Sequence, residues 1–263
     1  MSGGSVRGLA HIGVLKVLTE AGIHPAIVAG ASAGSIIGAG IAAGMTWQDL
    51  IEMARGVFWP KLLHGDTLER FCARHLPHRF SDLRLPFAAI ATALPGKRAI
   101  ALTTGHLASA INASCAMRVI RGRVRREGHV LKDGGIACVL PADVCRQMGA
   151  DFVISSDVWE VSSVLRDMGF HPAHRHAHRV YPAHYRTSLR HTDLHIHPRV
   201  PIAGYWPGDA GIKRMVAAGE LAARRALERF SKKQQAQMPE GNVSAGSPIF
   251  HSDVRSSGST ARV

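Results

Sequence analysis

The stretch Ile27-Val28-Ala29-Gly30-Ala31-Ser32-Ala33-Gly34-Ser35 decides how the rest of the chain is read. It is a short apolar strand, then Gly-x-Ser-x-Gly, then small residues that continue as a helix from about Ser35 to Ala43. A serine between two glycines at a strand-to-helix turn is the nucleophile-elbow pattern. The turn is tight, so the residues flanking Ser32 have to be small, and Gly30 and Gly34 let the helix pack closely on the strand. Strain of this kind is tolerated where it aims a reactive atom. The helix N-terminus adds free N–H groups and the positive end of a dipole beside the serine oxygen. Taken alone, the pattern also suits an ordinary small-residue turn, so the other segments have to decide.

The chain has 263 residues, enough for one substantial α/β domain or two small ones. Hydrophobic residues make up 46%, as in ordinary soluble globular chains. No apolar run reaches the roughly 18–20 residues that cross a bilayer. The opening Met1-Ser2-Gly3-Gly4 lacks the basic and apolar regions of a secretory signal. Cys72, Cys115, Cys138 and Cys145 have neither metal-type nor disulfide-framework spacing, which fits free thiols in a reducing cytoplasm. The net charge of +13 and pI near 10.5 favour anionic partners. No basic stripe interleaved with aromatics is present, so a nucleic-acid partner is not expected.

Working outward from Ser32, Gly3-Gly4-Ser5-Val6-Arg7-Gly8 is a glycine-rich loop feeding a helix in which Leu9, Ile12, Leu15 and Leu18 recur at helical spacing. Such a loop exposes backbone N–H groups to an anion or a developing oxyanion. Thr46 to about Arg74 reads as amphipathic helix with a break at Pro60, its apolar residues forming core or lining an acyl pocket. Phe87–Thr92 and Ala99–Leu102 read as paired strands around Pro95-Gly96-Lys97. Leu107–Met117 reads as helix, Val130–Asp133 leads into the turn Asp133-Gly134-Gly135, and Asp143–Met148 is a short helix. Phe152–Ser156 is a buried-type strand without alternation, as in a parallel sheet covered on both faces. The alternation of strands and helices predicts an α/β fold with a mostly parallel sheet. A last helix spans about Asp209–Phe230, and residues 231–263, rich in Ser, Gly, Gln and Pro, read as a disordered tail after a single domain at 1–230.

A serine nucleophile needs a base for its proton and donors for the oxyanion. The three segments around Gly4, Ser32 and Asp133, in that order, resemble the patatin-like phospholipase family, in particular its small bacterial members. The similarity continues through Arg7–Leu15, Ala113–Ala116 and Gly149–Ile154, and covers about Gly3 to Val158. The resemblance implies a three-layer sandwich with a mostly parallel central sheet flanked by helices. It implies a serine esterase of phospholipids or related lipids that works by a Ser-Asp dyad without a metal or cofactor. Ser32 is then the nucleophile and Asp133 the base; Gly3, Gly4, Ser5, Arg7 and Gly8 form the oxyanion loop; Gly30, Gly34, Gly134 and Gly135 are the motif glycines. Four departures stand out: Ser5 replaces the family's third loop glycine, no apolar strand precedes the loop, Arg118 stands where proline is common and Ala93 where aspartate is usual.

Two other features compete. His171, His174, His176, His178, His184, His191, His195 and His197 crowd an irregular segment. No His-Glu-x-x-His or cysteine pair completes a metal set there, so no metal is assigned. His191 or His195 is an alternative base for Ser32 in an α/β-hydrolase order. The run Arg118–Arg126 suits either a solvated loop or peripheral contact with an anionic membrane surface. A catalytically impaired scaffold of the same fold is the non-enzymatic alternative, separable by its lack of esterase activity.

Overall fold

In the computed structural model, which describes residues 1–237 apart from 58, 63–65, 118–123, 127, 173–179 and 201–207, the chain builds around one central strand. The loop at the start passes into a 3-10 turn, Ser5–Leu9, and then α1, Ala10–Glu20. β1 is Val28–Ala31 and α2 is Ala33–Ala42. Then come α3, Trp47–Ala54, α4, Trp59–Leu62, and α5, Thr67–His75. Thr46 caps α3 through a reciprocal capping box with Asp49. β2, Phe87–Leu94, and β3, Arg98–Leu102, form the expected hairpin, and α6, Leu107–Ser114, follows. β4, Val124–Arg126, and β5, His129–Asp133, precede α7, Ala142–Gln147, and β6, Ile154–Ser156. α8, Glu160–Asp167, α9, Ala183–Arg190, β7, Leu194–Ile196, and α10, Gly208–Gln237, complete the described chain. The last helix continues past Phe230 to Gln237.

β2 is the hub. One of its edges pairs antiparallel with β3, from Ala89–Leu102 to Ala93–Arg98. The other edge is shared end to end. β1 runs parallel to its first half, Val28–Phe87 to Ala31–Ile90, and β5 runs antiparallel to its second half, Ala91–Asp133 to Leu94–Val130. β4 pairs antiparallel with β5, and β6 with β7 in a separate parallel pair. The sheet is therefore mixed, with β1–β2 its parallel pair, rather than mostly parallel. The apolar run of β2 reads the same in either direction, because a strand covered on both faces is apolar throughout whether its neighbours are parallel or antiparallel.

The layers follow from alternation along the strands. Val28, Phe87, Ala89, Ala91 and Ala93 face a core shared with Ile37, Leu50, Leu68, Leu107 and Ile111 of the helices. Ala29, Ala31, Ala88 and Ile90 face the opposite side and pack on Val144 of α7. Helix, sheet and helix make the three layers. α10 returns to lie on α1, where a Cβ on Gly13 would come within 1.9 Å of Val216 O and one on Gly219 within 2.0 Å of Ala10 O. Lys16–Glu220 and Arg224–Glu20 ion pairs flank this crossing.

Met1 and Ser2 join the two sheets. The Met1 amine donates to Ala29 O at 2.8 Å and its carbonyl accepts from Ala31 N at 3.3 Å, while Ser2 N donates to Ser156 O at 2.9 Å. His11, fully buried on α1, braces this junction: its Nε2 lies 3.0 Å from Ser2 O and its Nδ1 2.7 Å from Ser156 Oγ. The carbonyl can only accept, so Nε2 carries the proton and Nδ1 accepts from the serine. Burial, with the nearby N-terminal amine, pushes the His11 pKa down to about 3. The unfolded chain therefore binds a proton near the ordinary histidine value that the folded chain refuses. Stability is full above about pH 6.5 and declines as pH falls toward 3, on the order of 1 kcal/mol per pH unit. Urea denaturation across this range is expected to show a shallower decline for His11→Gln; an unchanged slope would show that His11 titrates normally.

Candidate active site

The end-to-end meeting of β1 and β5 along β2 sets the site. Ser32 directly follows Ala31, which pairs with Ile90, and Asp133 pairs with the next residue, Ala91. Two residues distant in sequence thus emerge side by side. Ser32 has φ 51° and ψ −124°, a positive-φ conformation rare for a non-glycine residue. This is the sharp turn that the Gly-x-Ser-x-Gly spacing predicts. A Cβ on Gly30 would lie 2.2 Å from Gly34 O, so the helix can press on the strand only because that position is glycine. Gly34 in turn lies against the carbonyls of Met1 and Ser2.

Ser114, at the end of α6, ties the junction together. Its hydroxyl donates to Ile90 O at 2.6 Å and accepts from Ser32 N at 2.9 Å. Ile90 O lies at the join between β1 and β5, and Gly134 packs against this same carbonyl. Asp133 is fixed by its main chain, with Asp133 N donating to Ala116 O at 3.0 Å and Thr92 Oγ1 donating to Asp133 O at 2.7 Å. Asp133 Oδ1 accepts from Gly135 N at 2.8 Å, and buried Oδ2 makes no hydrogen bond of good geometry among the described residues. Ser32 and Asp133 are 8% and 9% exposed, so both are nearly closed off from water. Burial raises the Asp133 pKa above the ordinary aspartate value, against the opposing pull of the Ser32 hydroxyl and the Gly135 N–H.

The glycine-rich loop wraps the serine. A Cβ on Gly3 would stand 3.2 Å from Ser32 Cβ, and one on Gly8 2.7 Å from Ala33 Cβ. The Gly3 N–H is committed to Val139 O at 3.0 Å. Those of Gly4 and Ser5 have no acceptor among the described residues. Arg7 forms an ion pair with Glu160 of α8. Ser5 has φ 53°, so this side chain is held in the left-handed region.

The other sequence candidates fall elsewhere. His191 is exposed at the end of α9, and His195 faces Asp157 and Arg166. Ala93 is buried in β2 between Arg98 and Leu131. Arg118 and most of the arginine run lie outside the described residues; Arg126 donates to the carbonyls of Thr104 and His106. A cavity of about 550 Å³ beside α3 and α5, lined by Met53, Val57, Leu62 and Phe71 with Arg55 and Arg70, includes neither Ser32 nor Asp133. Ser114 and His11 drew no role from the sequence reading. The serine lay inside the Ala113–Ala116 similarity, and the histidine was hidden in an apolar helix.

The arrangement at this corner is a buried serine on a strained strand-to-helix turn beside a buried aspartate. Residues 1–65 match the family model described as patatin-like phospholipase. The chain is 34% identical over 177 residues to patatin-like phospholipase domain-containing protein 6 of Mus musculus, covering 60% of this chain and 13% of that protein. It is 30% identical over 175 residues to an uncharacterized NTE family protein of Mycobacterium bovis, covering 59% of this chain and 47% of that one. The chain thus spans less than half the length of these relatives. The crystal structure of VipD from Legionella pneumophila has the same fold, with TM-score 0.52 and 14% identity over 87% of this chain and 66% of that one. In sequence the chain is similar to patatin-like phospholipases, and in fold to VipD.

Replacing Ser5 by glycine should relieve the left-handed strain. The conformational cost of about 1–2 kcal/mol is offset in part by the greater freedom of glycine in the unfolded chain. A net gain of roughly 0.5–1 kcal/mol by chemical denaturation is expected for Ser5→Gly, and a loss of stability would show that the serine side chain holds the loop.

Proposed function

We propose that the chain is a lipid acyl hydrolase that cleaves carboxylic esters of phospholipids or related lipids through Ser32 and Asp133. The observation that carries this reading is the juxtaposition of a positive-φ serine with a buried carboxylate whose Oδ2 lacks a good hydrogen bond. The family similarity supports the substrate class.

Asp133 takes the proton of the Ser32 hydroxyl as Oγ attacks the ester carbonyl. The oxyanion that forms rests on the N–H groups of Gly4 and Ser5 and on the first turn of α2. Gly3 and Gly8 shape this loop through their packing on Ser32 and Ala33, and Arg7 holds it through Glu160. Collapse of the intermediate returns the proton from Asp133 to the departing alcohol and leaves an acyl-serine. Water then attacks the acyl carbon, Asp133 accepts its proton, and the second collapse returns that proton to Ser32 Oγ. The raised proton affinity of Asp133 makes it a stronger base than a solvated aspartate.

The anionic partner expected from a charge of +13 is a membrane surface, met through the arginine run. No helix among the described residues is long and apolar enough to cross a bilayer. Binding to anionic vesicles is expected to exceed binding to neutral vesicles at low salt and to fade as salt rises; equal binding to both would remove the membrane step.

Hydrolysis of a short-chain chromogenic ester by the full chain tests the reaction. Ser32→Ala and Asp133→Asn, each checked for folding, should lower kcat/KM by roughly 10³-fold or more. Since the base must be ionised, activity should fall on acidification with its midpoint above the ordinary aspartate value of 3.8. Unchanged hydrolysis in Ser32→Ala would overturn the assignment, and a folded wild type without activity would favour the scaffold reading.

A further inference from the structure

Asp157 directly follows β6, and β7 delivers His195 and His197 to it through the parallel pairing of Ser155 with His195 and Ser156 with Ile196. His195 Nε2 stands 3.3 Å and His197 Nδ1 3.4 Å from Asp157 Oδ2, and the three ligand atoms lie within 4.8 Å of one another. Asp157 is fully buried, whereas the two histidine side chains remain 22% and 10% exposed, so the cluster is within reach of an ion from solvent.

The hydrogen bonds around the rings carry the inference. His197 Nε2 faces Ser163 Oγ at 3.3 Å, a partner that can take its proton, while buried Nδ1 has no hydrogen-bond partner and faces the carboxylate. With the proton on Nε2, a nitrogen lone pair and a carboxylate oxygen confront each other across 3.4 Å. In that tautomer the contact repels, and either a proton moved to Nδ1 or a metal cation between the two atoms relieves it. Donors about 2.0–2.1 Å from a tetrahedral ion are separated by roughly 3.3–3.4 Å, the spacing seen here. The shell behind the carboxylate is also built: Tyr185 OH donates to Oδ2 at 2.6 Å, and Trp159 N donates to Oδ1 at 3.0 Å. Such partners orient a metal-binding carboxylate. Arg166, 3.4 Å from His195 Nδ1, is the cation that must turn aside when Nε2 binds an ion and Nδ1 takes the ring proton.

We propose that Asp157, His195 and His197 form a binding site for a divalent transition ion of the zinc class. Two imidazoles and one carboxylate suit such an ion better than magnesium or calcium, which take all-oxygen sets. The site lies behind the glycine-rich loop: Val158 N donates to Ser2 Oγ at 2.7 Å, and a Cβ on Gly4 would come within 2.6 Å of Val158 Cγ2. A bound ion would lock the end of β6 to β7 and stiffen the wall on which that loop rests. Its role is structural and independent of the Ser32 chemistry.

The full chain, stripped with a chelator and dialysed against Zn²⁺, should retain one Zn²⁺ per chain by elemental analysis, and Zn²⁺ should raise its Tm. Co²⁺ in its place should give the visible absorption of a low-coordinate site. His195→Gln and His197→Gln should each weaken Zn²⁺ binding more than tenfold and abolish the Tm rise. Ser32→Ala should bind as the wild type does. Substituting His174, His176 and His178 together by glutamine should also leave binding unchanged. A folded wild type that retains no Zn²⁺ would overturn the proposal, as would equal retention by His195→Gln and His197→Gln or loss only in the triple variant.

Discussion

Two strands share one edge of β2, and everything at the candidate site depends on that arrangement. β1 stops at the partner of Ile90, and β5 starts its pairing at Ala91. Where two strands meet head to head, the ladder is interrupted and a backbone carbonyl loses its regular partner. Ile90 O is that carbonyl, and the Ser114 hydroxyl satisfies it while holding Ser32 N with its lone pair. One small side chain therefore closes the gap in the sheet and fixes the turn carrying the serine. The same interruption lets Gly134 approach the sheet closely enough to leave Asp133 facing inward.

Burial then turns this geometry into chemistry. An aspartate on an exposed hairpin would be an ordinary acid with waters on both oxygens. Here Gly135 N occupies one oxygen, and the other lies in a pocket closed to water beside Ser32. The cost of desolvating the carboxylate appears as a greater affinity for a proton. In the proposed reaction that affinity lets Asp133 draw the proton from Ser32 without an intervening histidine.

Much of this was legible in the residues because it is local. The turn at Ser32, the hairpin of β2 and β3 and the glycine-rich loop each follow from spacing and small side chains. Sheet direction was not, since Phe87–Leu94 is apolar at every position and such a strand carries no record of its neighbours' orientation. The role of Ser114 escaped for a related reason: a serine in a small-residue helix shows its purpose only once Ile90 O and Ser32 N are placed beside it. The Asp157 cluster was half visible. His195 and His197 alternate as residues on one face of a strand do, but the carboxylate comes from the residue just after β6, more than thirty residues earlier. Pairing that crosses such a distance has no signature in either segment alone.

The placement of the glycine-rich loop rests on contacts at both of its sides. Toward β1, Met1 pairs with Ala29 and Ala31, and its buried amine holds its proton less tightly than a solvated one because desolvation outweighs the pull of neighbouring negative groups. Toward β6, Ser2 bonds to Ser156 and Val158, Gly4 lies on Val158, and Arg7 reaches Glu160. The second side offers more contacts and is braced from behind by Asp157, Tyr185 and the two histidines. Ser5, held at φ 53° between these supports, is where the strain of fitting the loop to both sheets collects. The corner after β6 is thus a part of the site's framework, although none of its side chains touches Ser32 in the contacts described above.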